Sequence, residues 1–133
     1  MIPSFVENGN LPPGVHGATL EEIEKRFGTE TELRRVQMLS LRWLAEIAIC
    51  AGVQKILVNG SIVTEVSEPN DVDCALLFDP EYPKDQSAAE ELEEGLPFIE
   101  MYLVEAEDYN HFAPQFFAID RMKVPKGMLE VIL

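Results

Sequence analysis

Apolar positions at helical spacing predict three helices along this chain. The longest periodic segment contains Leu33, Val36, Trp43, Leu44 and Ile47, and this spacing is typical of one buried helix face. Capping boxes precede the first two helices, at Thr19-x-x-Glu22 and Thr29-x-x-Glu32, and a glycine follows each helix as a stop signal. The predicted helices cover residues 20–27, 30–51 and 87–94, and the glycines after them are Gly28, Gly52 and Gly95.

Shorter apolar or alternating runs between these helices predict β-strands. The second half of the run 71–78 is continuously apolar, as in a strand covered on both faces. The predicted strands are 55–59, 71–78, 97–104, 115–120 and 128–133, with residues 121–127 as a hairpin connection. The fold class expected is therefore α+β, a mixed β-sheet flanked by helices.

The first 18 residues differ in composition from the rest of the chain. They are rich in proline, glycine and asparagine, and Pro12-Pro13-Gly14 disfavours a helix there. We expect an extended N-terminal arm over residues 1–18 and a single domain over residues 19–133. Whether the arm packs on its own domain or on a neighbour is left open by the sequence.

The segment ILVNGSIVTEVSEPNDVDCALLF, residues 56–78, combines two features of a phosphate site. Asp71 and Asp73 lie two residues apart, so on a strand their carboxylates point to one face, roughly 7 Å apart. Both can then reach one divalent cation or a close pair of cations. Gly60 and Ser61 end the preceding apolar run, and such a turn offers backbone N–H groups and a hydroxyl to phosphate. The segment predicts a metal-dependent phosphate site.

A third acid often completes such a site, and Glu100 is the candidate. It interrupts an apolar strand, and if that strand pairs with 71–78, Glu100 lies roughly 4.8 Å from the aspartates. Carboxylate oxygens are the ligands that Mg²⁺ or Mn²⁺ prefers. The alternatives are that Glu100 faces solvent, that Asp71 serves only a turn, or that the aspartates bind Ca²⁺ structurally, although EF-hand spacing is lacking.

Phosphoryl or nucleotidyl transfer also needs a cation near the leaving group. Arg121, Lys123 and Lys126 cluster in sequence, and Lys126 is the candidate among them for contacting the phosphates. The alternative is a solvated basic turn. The arginines of the long helix, Arg34, Arg35 and Arg42, are expected on its solvated flank, and Trp43 in the core rather than in a base-stacking platform.

Composition narrows the choice of partners. The chain has 10 Lys+Arg against 24 Asp+Glu and a formal charge of −14, so nucleic acid is an unlikely ligand by electrostatics. The acidic surface serves either solubility or a basic partner.

No apolar run has the roughly 20 residues of a membrane span, and the start lacks signal-peptide features. Cys50 and Cys74 lie in apolar segments, which predicts buried thiols and a reducing cytoplasm.

Gly60-Ser61 followed by Asp71-Val72-Asp73 resembles the signature of the polymerase-β-like nucleotidyltransferase superfamily, especially its minimal members. The wider chain resembles a small bacterial family labelled nucleotidyltransferase-like. The matching pieces outside the central motif are Leu11–His16, Ala18-Thr19, Arg26-Phe27, Asp120-Arg121 and Lys126-Gly127.

The resemblance implies a nucleotidyltransferase-like fold in which Gly60 and Ser61 contact a nucleoside triphosphate. Asp71 and Asp73 would hold Mg²⁺ and Glu100 would fill the third acidic place. Relatives transfer a nucleotide to proteins, small molecules or nucleic acids, and several minimal members act in toxin–antitoxin or phage-defence systems. The expected function is therefore transfer of NMP from an NTP to a protein or small-molecule hydroxyl.

A second function from another class stays open. The fold can serve as a catalytically inactive interaction module, an antitoxin or regulatory subunit that binds a basic protein partner such as a toxin. The net negative charge and the glutamate at the third acidic place favour this alternative.

Overall fold

Five strands form one mixed sheet in a computed structural model that describes residues 2–7, 9–78, 80–105 and 127–133. In chain order the elements are β1 (Gly14–Thr19), α1 (Leu20–Phe27), α2 (Glu32–Ala51), β2 (Val53–Asn59), a 3₁₀ turn (Ser61–Val63), β3 (Val72–Phe78), α3 (Gln86–Glu94), β4 (Ile99–Glu105) and β5 (Gly127–Ile132). The expected α+β class is confirmed. The predictions for residues 106–126, including the strand 115–120 and nearly all of the hairpin connection, lie outside the described residues.

The strand order is β1-β5-β2-β3-β4. β2 is antiparallel to both β5 and β3. The outer pairs, β1 with β5 and β3 with β4, are parallel. A parallel pair needs a crossover connection, and between β3 and β4 that crossover contains α3. This arrangement places the end of β2 beside the beginnings of β3 and β4.

The two faces of the sheet are packed differently. The main core joins the helices to one face through buried residues such as Ile23, Leu41, Leu92, Ile56 and Leu76. The other face carries a smaller cluster made by Leu57, Ala75, Val104 and Met128, with Tyr102 packed against it. Alternate residues of each strand point to opposite faces. Asp73, Ala75, Glu100 and Tyr102 therefore share the face opposite the helices.

The N-terminal arm belongs to the same domain. Its last residues form β1, which pairs with β5. Leu11 lies in the main core, and Phe5 packs against Phe27 with ring centroids 6.0 Å apart. Arg26 stacks on the Phe5 ring at 4.6 Å. The question left open by the sequence is thus answered, because the described part of the arm packs on its own domain.

The ends of the helices largely follow the predicted signals. Thr19 caps α1 in a capping box with Glu22, and α2 ends at Gly52, which adopts a left-handed conformation with φ of 96°. The predicted start of α2 was wrong by two residues. Thr31, not Thr29, caps α2 and accepts from the Arg34 N–H, while the Thr29 hydroxyl bonds the Lys25 carbonyl at the end of α1.

Three burial predictions on and near α2 were also wrong. Arg34 is 1% exposed rather than solvated, while Trp43 is 46% exposed rather than buried. Cys50 is exposed, and only Cys74 is a buried thiol. Leu44 and Ile47 of the predicted stripe are buried as expected. The buried face also includes Arg34, Met38, Leu41, Ala45 and Ala48, so it is wider than the predicted stripe and lies to one side of it.

Arg34 is held by main-chain oxygens rather than by a carboxylate in the described structure. Its guanidinium donates to the carbonyls of Phe27, Ile62, Thr64 and Val66. Burial lowers the pKa of Arg34, and the negative charge of Glu30 opposes that shift. The carbonyl dipoles replace the hydration that burial removes. Arg34 therefore joins the end of α1 to the loop that follows β2.

One further property follows from the helices. Within the ranges described, no helix combines the length and the apolar character needed to cross a bilayer.

Replacement of Arg34 by methionine is expected to destabilise the fold by at least about 3 kcal/mol, because several buried carbonyls lose their donor. Arg35→Met is the matched control, since Arg35 is exposed and makes an ion pair with Glu32 and a long hydrogen bond of 3.4 Å to the Thr29 carbonyl. That variant should lose no more than about 0.5 kcal/mol. Urea denaturation measures both free energies of unfolding. If both variants lost the same small amount of free energy of unfolding, the hydrogen bonds from Arg34 to the carbonyls would not be important for stability.

Candidate functional site

The predicted site residues meet at one end of the sheet. Asn59, the last residue of β2, pairs with Asp73 of β3. Asp73 in turn pairs with Glu100 of β4 in the parallel register. Neighbouring strands lie about 4.8 Å apart, so the two acidic residues stand side by side on one face. The expectation that the strand of Glu100 pairs with the strand of the aspartates is confirmed.

Gly60 brings the turn after β2 directly onto the Asp73 carboxylate. It has φ of 90° and ψ of −169°, a combination open to glycine and almost no other residue. A Cβ added at Gly60 would lie 2.5 Å from Asp73 Oδ2. Only a residue without a side chain therefore fits between the turn and the carboxylate. The structure brings the glycine and the aspartate together, as the sequence predicted.

Ser61 ties this turn to the segment that leads into β3. Its Oγ accepts a hydrogen bond of 2.8 Å from the Asn70 N–H. In this hydrogen bond the Ser61 hydroxyl uses a lone pair of its oxygen and does not use its O–H as a donor. The Thr64 N–H and hydroxyl both bond the Ser61 carbonyl. Ser61 is thus held in a tight turn beside the residue that precedes Asp71.

Two buried polar residues of α2 hold the loop between β2 and β3. Arg34 donates to the carbonyls of Ile62, Thr64 and Val66. Gln37 donates to the carbonyls of Pro69 and Asn70 at 3.1 and 2.7 Å. Because these donors lie one turn apart on a rigid helix, they fix both halves of the loop. Sequence reasoning missed both residues as parts of the site. The signal that points to them is their place on the same stripe as Ala45 and Ala48.

The acidic residues differ in their surroundings. Asp71 is exposed and precedes β3, Asp73 is partly buried, and Glu100 is exposed. The Tyr102 hydroxyl donates to Glu100 Oε1 at 2.8 Å. This hydrogen bond is the main reason that the pKa of Tyr102 is raised, and the charge of Asp73 adds to the effect. The Tyr102 hydroxyl therefore lies in the field of both Glu100 and Asp73.

A cation fits this donor set in part. Asp73 and Glu100 supply hard oxygen donors on neighbouring strands, which suits Mg²⁺ or Mn²⁺. Within the described residues, however, the structure gathers no group of three or more His, Cys, Asp or Glu side chains that could hold a metal ion. The structure thus brings Asp73 and Glu100 together and leaves Asp71 at the edge. The metal-ligand assignment of the three residues stays a prediction.

The basic residues predicted to contact the leaving group cannot be placed. Lys126, with Arg121 and Lys123, lies outside the described residues. Gly127 follows directly as the first residue of β5, which occupies the other side of β2 from β3. The role of Lys126 in nucleotide binding stays a prediction.

A family profile matches residues 3–132 of the chain, and its description is a family of unknown function, DUF6932. The chain belongs to this family. Comparison with curated proteins gave no match, and neither did comparison with solved structures. The DUF6932 match includes all the elements that build the site, from β1 to β5.

Gly60→Ala is expected to destabilise the protein more than Gly95→Ala. The two glycines have nearly equal φ, 90° and 92°, so both variants carry backbone strain of about 1–3 kcal/mol. A Cβ at Gly95 meets nothing within 4 Å, whereas one at Gly60 meets Asp73. Overpacking should add at least about 1 kcal/mol for Gly60→Ala. Urea denaturation gives both values, and equal losses would show that the close approach to Asp73 is unimportant.

Proposed function

We propose that this DUF6932 protein is a Mg²⁺- or Mn²⁺-dependent nucleotidyltransferase of the polymerase-β-like fold. It transfers NMP from an NTP to a hydroxyl of a protein or small molecule in the bacterial cytoplasm. Toxin–antitoxin and phage-defence systems are the settings that the resemblance suggests. One observation carries the proposal: Asp73 and Glu100 stand in register on adjacent strands, with the Gly60 turn packed onto Asp73.

Each residue of the site has a proposed role. Gly60 and Ser61 receive the phosphates, because a tight turn at the end of a strand presents N–H and hydroxyl donors. Asp73 and Glu100 hold the cation. Asp71, which precedes Asp73 by two residues, is the third donor. When bound, the cation neutralises the charge that develops on the phosphates. Glu100 also accepts the proton of the attacking hydroxyl, because its carboxylate already accepts a hydrogen bond from a hydroxyl.

The loop after β2 is built for a fixed geometry. Phosphoryl and nucleotidyl transfer depend mainly on positioning and charge stabilisation. Arg34 and Gln37 hold the backbone of this loop from α2. The Arg34 Nη atoms and the Gln37 Nε2 donate to carbonyl oxygens, so these side chains position the turn rather than bind phosphate. The positive charge near the leaving group is therefore proposed to come from the Lys126 side chain.

Labelling with radioactive NTPs tests the proposal. Protein, Mg²⁺ and host lysate are incubated with each NTP labelled on the α-phosphate, and nucleotide transfer to acceptors is measured. Asp73→Asn and Glu100→Gln should each lower the rate by roughly 100-fold or more, as expected when a group that stabilises transition-state charge is removed. Glu105→Gln is the matched control, because Glu105 is an exposed acid at the far end of the same strand. Undiminished labelling by Asp73→Asn would refute the assignment of Asp73.

A non-catalytic interaction module is the second candidate, and the outer face of α2 favours it. Leu39 is 66% exposed, and Trp43 and Ile49 are also exposed on this helix. Glu91 of α3 accepts a hydrogen bond from the Trp43 indole at 3.3 Å. Exposed apolar side chains together with acidic side chains suit a basic protein partner. In this alternative, the acidic pair at the end of the sheet binds no nucleotide.

Thermodynamic stabilisation by ligand separates the two candidates. A nucleotidyltransferase that binds Mg²⁺-NTP should gain about 2.7 kcal/mol of stability at roughly 100 times the dissociation constant. Asp73→Asn should reduce that gain at the same ligand concentration. Chemical denaturation with and without each Mg²⁺-NTP measures the effect. The absence of stabilisation by any of the four nucleotides would favour the interaction module.

A further inference from the structure

Tyr102 places a hydroxyl nucleophile inside the proposed site. It lies two residues after Glu100 on β4 and on the same face of the sheet, and it pairs with Ala75 just as Glu100 pairs with Asp73. Its hydroxyl donates to Glu100 Oε1 at 2.8 Å. The aromatic ring packs against the cluster of Leu57, Ala75, Val104 and Met128. The ring is therefore anchored while the hydroxyl is presented to the acid.

We propose that Tyr102 is an acceptor of the transferred nucleotide in cis, so that the protein nucleotidylates its own Tyr102. The inference rests on the proposed nucleotidyltransferase function and names an acceptor for it. The observation behind it is that the Tyr102 hydroxyl is hydrogen-bonded to the Glu100 carboxylate. On the neighbouring strand β3, Asp73 lies in register with Glu100 and is contacted by the Gly60 turn.

The reaction is balanced with an NTP as the only co-substrate. The Tyr102 oxygen attacks the α-phosphorus, and the proton of the hydroxyl passes to the Glu100 carboxylate, to which it is already hydrogen-bonded. A bond forms between the tyrosine oxygen and the α-phosphorus. The bond from the α-phosphorus to the oxygen that bridges to the β-phosphate breaks, and pyrophosphate leaves. The product is a phosphodiester between the tyrosine and the nucleoside.

Proximity favours Tyr102 over an acceptor from solution. A hydroxyl held beside the reacting groups reacts as if it were present at very high concentration. Tyr82 offers a contrast, because it packs on Phe78 at the other end of β3, with ring centroids 5.1 Å apart. In the turn after β2, the Thr64 hydroxyl donates to the Ser61 carbonyl, and the Ser61 oxygen accepts from the Asn70 N–H. Of these hydroxyls, it is that of Tyr102 that donates to a site carboxylate.

Intact-mass and peptide mass spectrometry of the purified full chain test the inference. The protein is incubated with Mg²⁺ and each of ATP, CTP, GTP and UTP, and the modified residue is read from wild-type peptides. The expected result is one added nucleoside monophosphate on Tyr102. The first-order rate should stay constant when the protein is diluted tenfold, since the reaction is within one chain. Tyr82→Phe should retain the modification, and Tyr102→Phe and Asp73→Asn should lose it.

The outcomes distinguish this inference from the proposed function. Labelled acceptors in host lysate, with no nucleotide on the purified protein, would overturn self-modification and leave the nucleotidyltransferase intact. Nucleotide on Ser61 or on any residue other than Tyr102 would also overturn it. Absence of labelling in both experiments would overturn the proposed function and the inference with it. Because the site is mapped on the wild-type chain, the result does not depend on the folding of a variant.

Discussion

The buried guanidinium of Arg34 is the interaction on which the functional end of the molecule depends. It replaces water with main-chain oxygens from two separate segments, the end of α1 and the loop after β2. A buried cation is costly unless polar groups replace its hydration, and here both Nη atoms of Arg34 donate to carbonyls, whereas its buried Nε has no hydrogen-bond partner among the described residues. The side chain therefore stabilises only one path of the loop. Gln37, on the next turn of α2, holds the remaining part through Pro69 and Asn70.

The loop held in this way decides what lies beside the Asp73 carboxylate. Its first residue, Gly60, leaves no room for a side chain next to Asp73, and Ser61 is bonded to the residue before Asp71. The parallel pairing of β3 with β4 then adds Glu100 on the other side of Asp73. Helix α2, the loop after β2 and strands β3 and β4 thus all contribute to the acidic pair of Asp73 and Glu100 at one end of the sheet, which we call the acidic edge. A site assembled from separate elements in this way is rigid, as catalysis by positioning requires.

The two proposed functions use different surfaces of the same domain. The acidic edge with Tyr102 lies on the sheet face opposite the helices, next to the small apolar cluster. The exposed apolar residues of α2 lie on the outer side of the helical layer. A catalytic role and a protein partner are therefore sterically compatible. The charge of −14 is the reason that the proposed protein partner is basic, and it is also why the proposed triphosphate site requires a cation.

The sequence by itself determined the features that depend on neighbouring residues. Helix ends follow caps and glycines such as Thr19 and Gly52, and strands follow apolar runs, because these signals act over a few residues. The sequence also predicted that the Gly60 turn and the aspartates converge. It gave the pairing of the Glu100 strand with the aspartate strand only as a condition, because strand alternation alone allows either face, and the parallel register decided it.

Only the tertiary structure decided how far the buried face of α2 extends beyond Leu44 and Ile47, which were correctly predicted. A prediction from Leu33 placed Arg34 in solvent and Trp43 in the core, and both were wrong. An arginine is buried only where hydrogen-bond acceptors are already in place. For Arg34 these acceptors include carbonyls 28 to 32 residues later in the chain. The exposure of Trp43 depends likewise on where α3 packs. Helical periodicity gives the spacing of a buried stripe, but contacts between distant segments choose its phase.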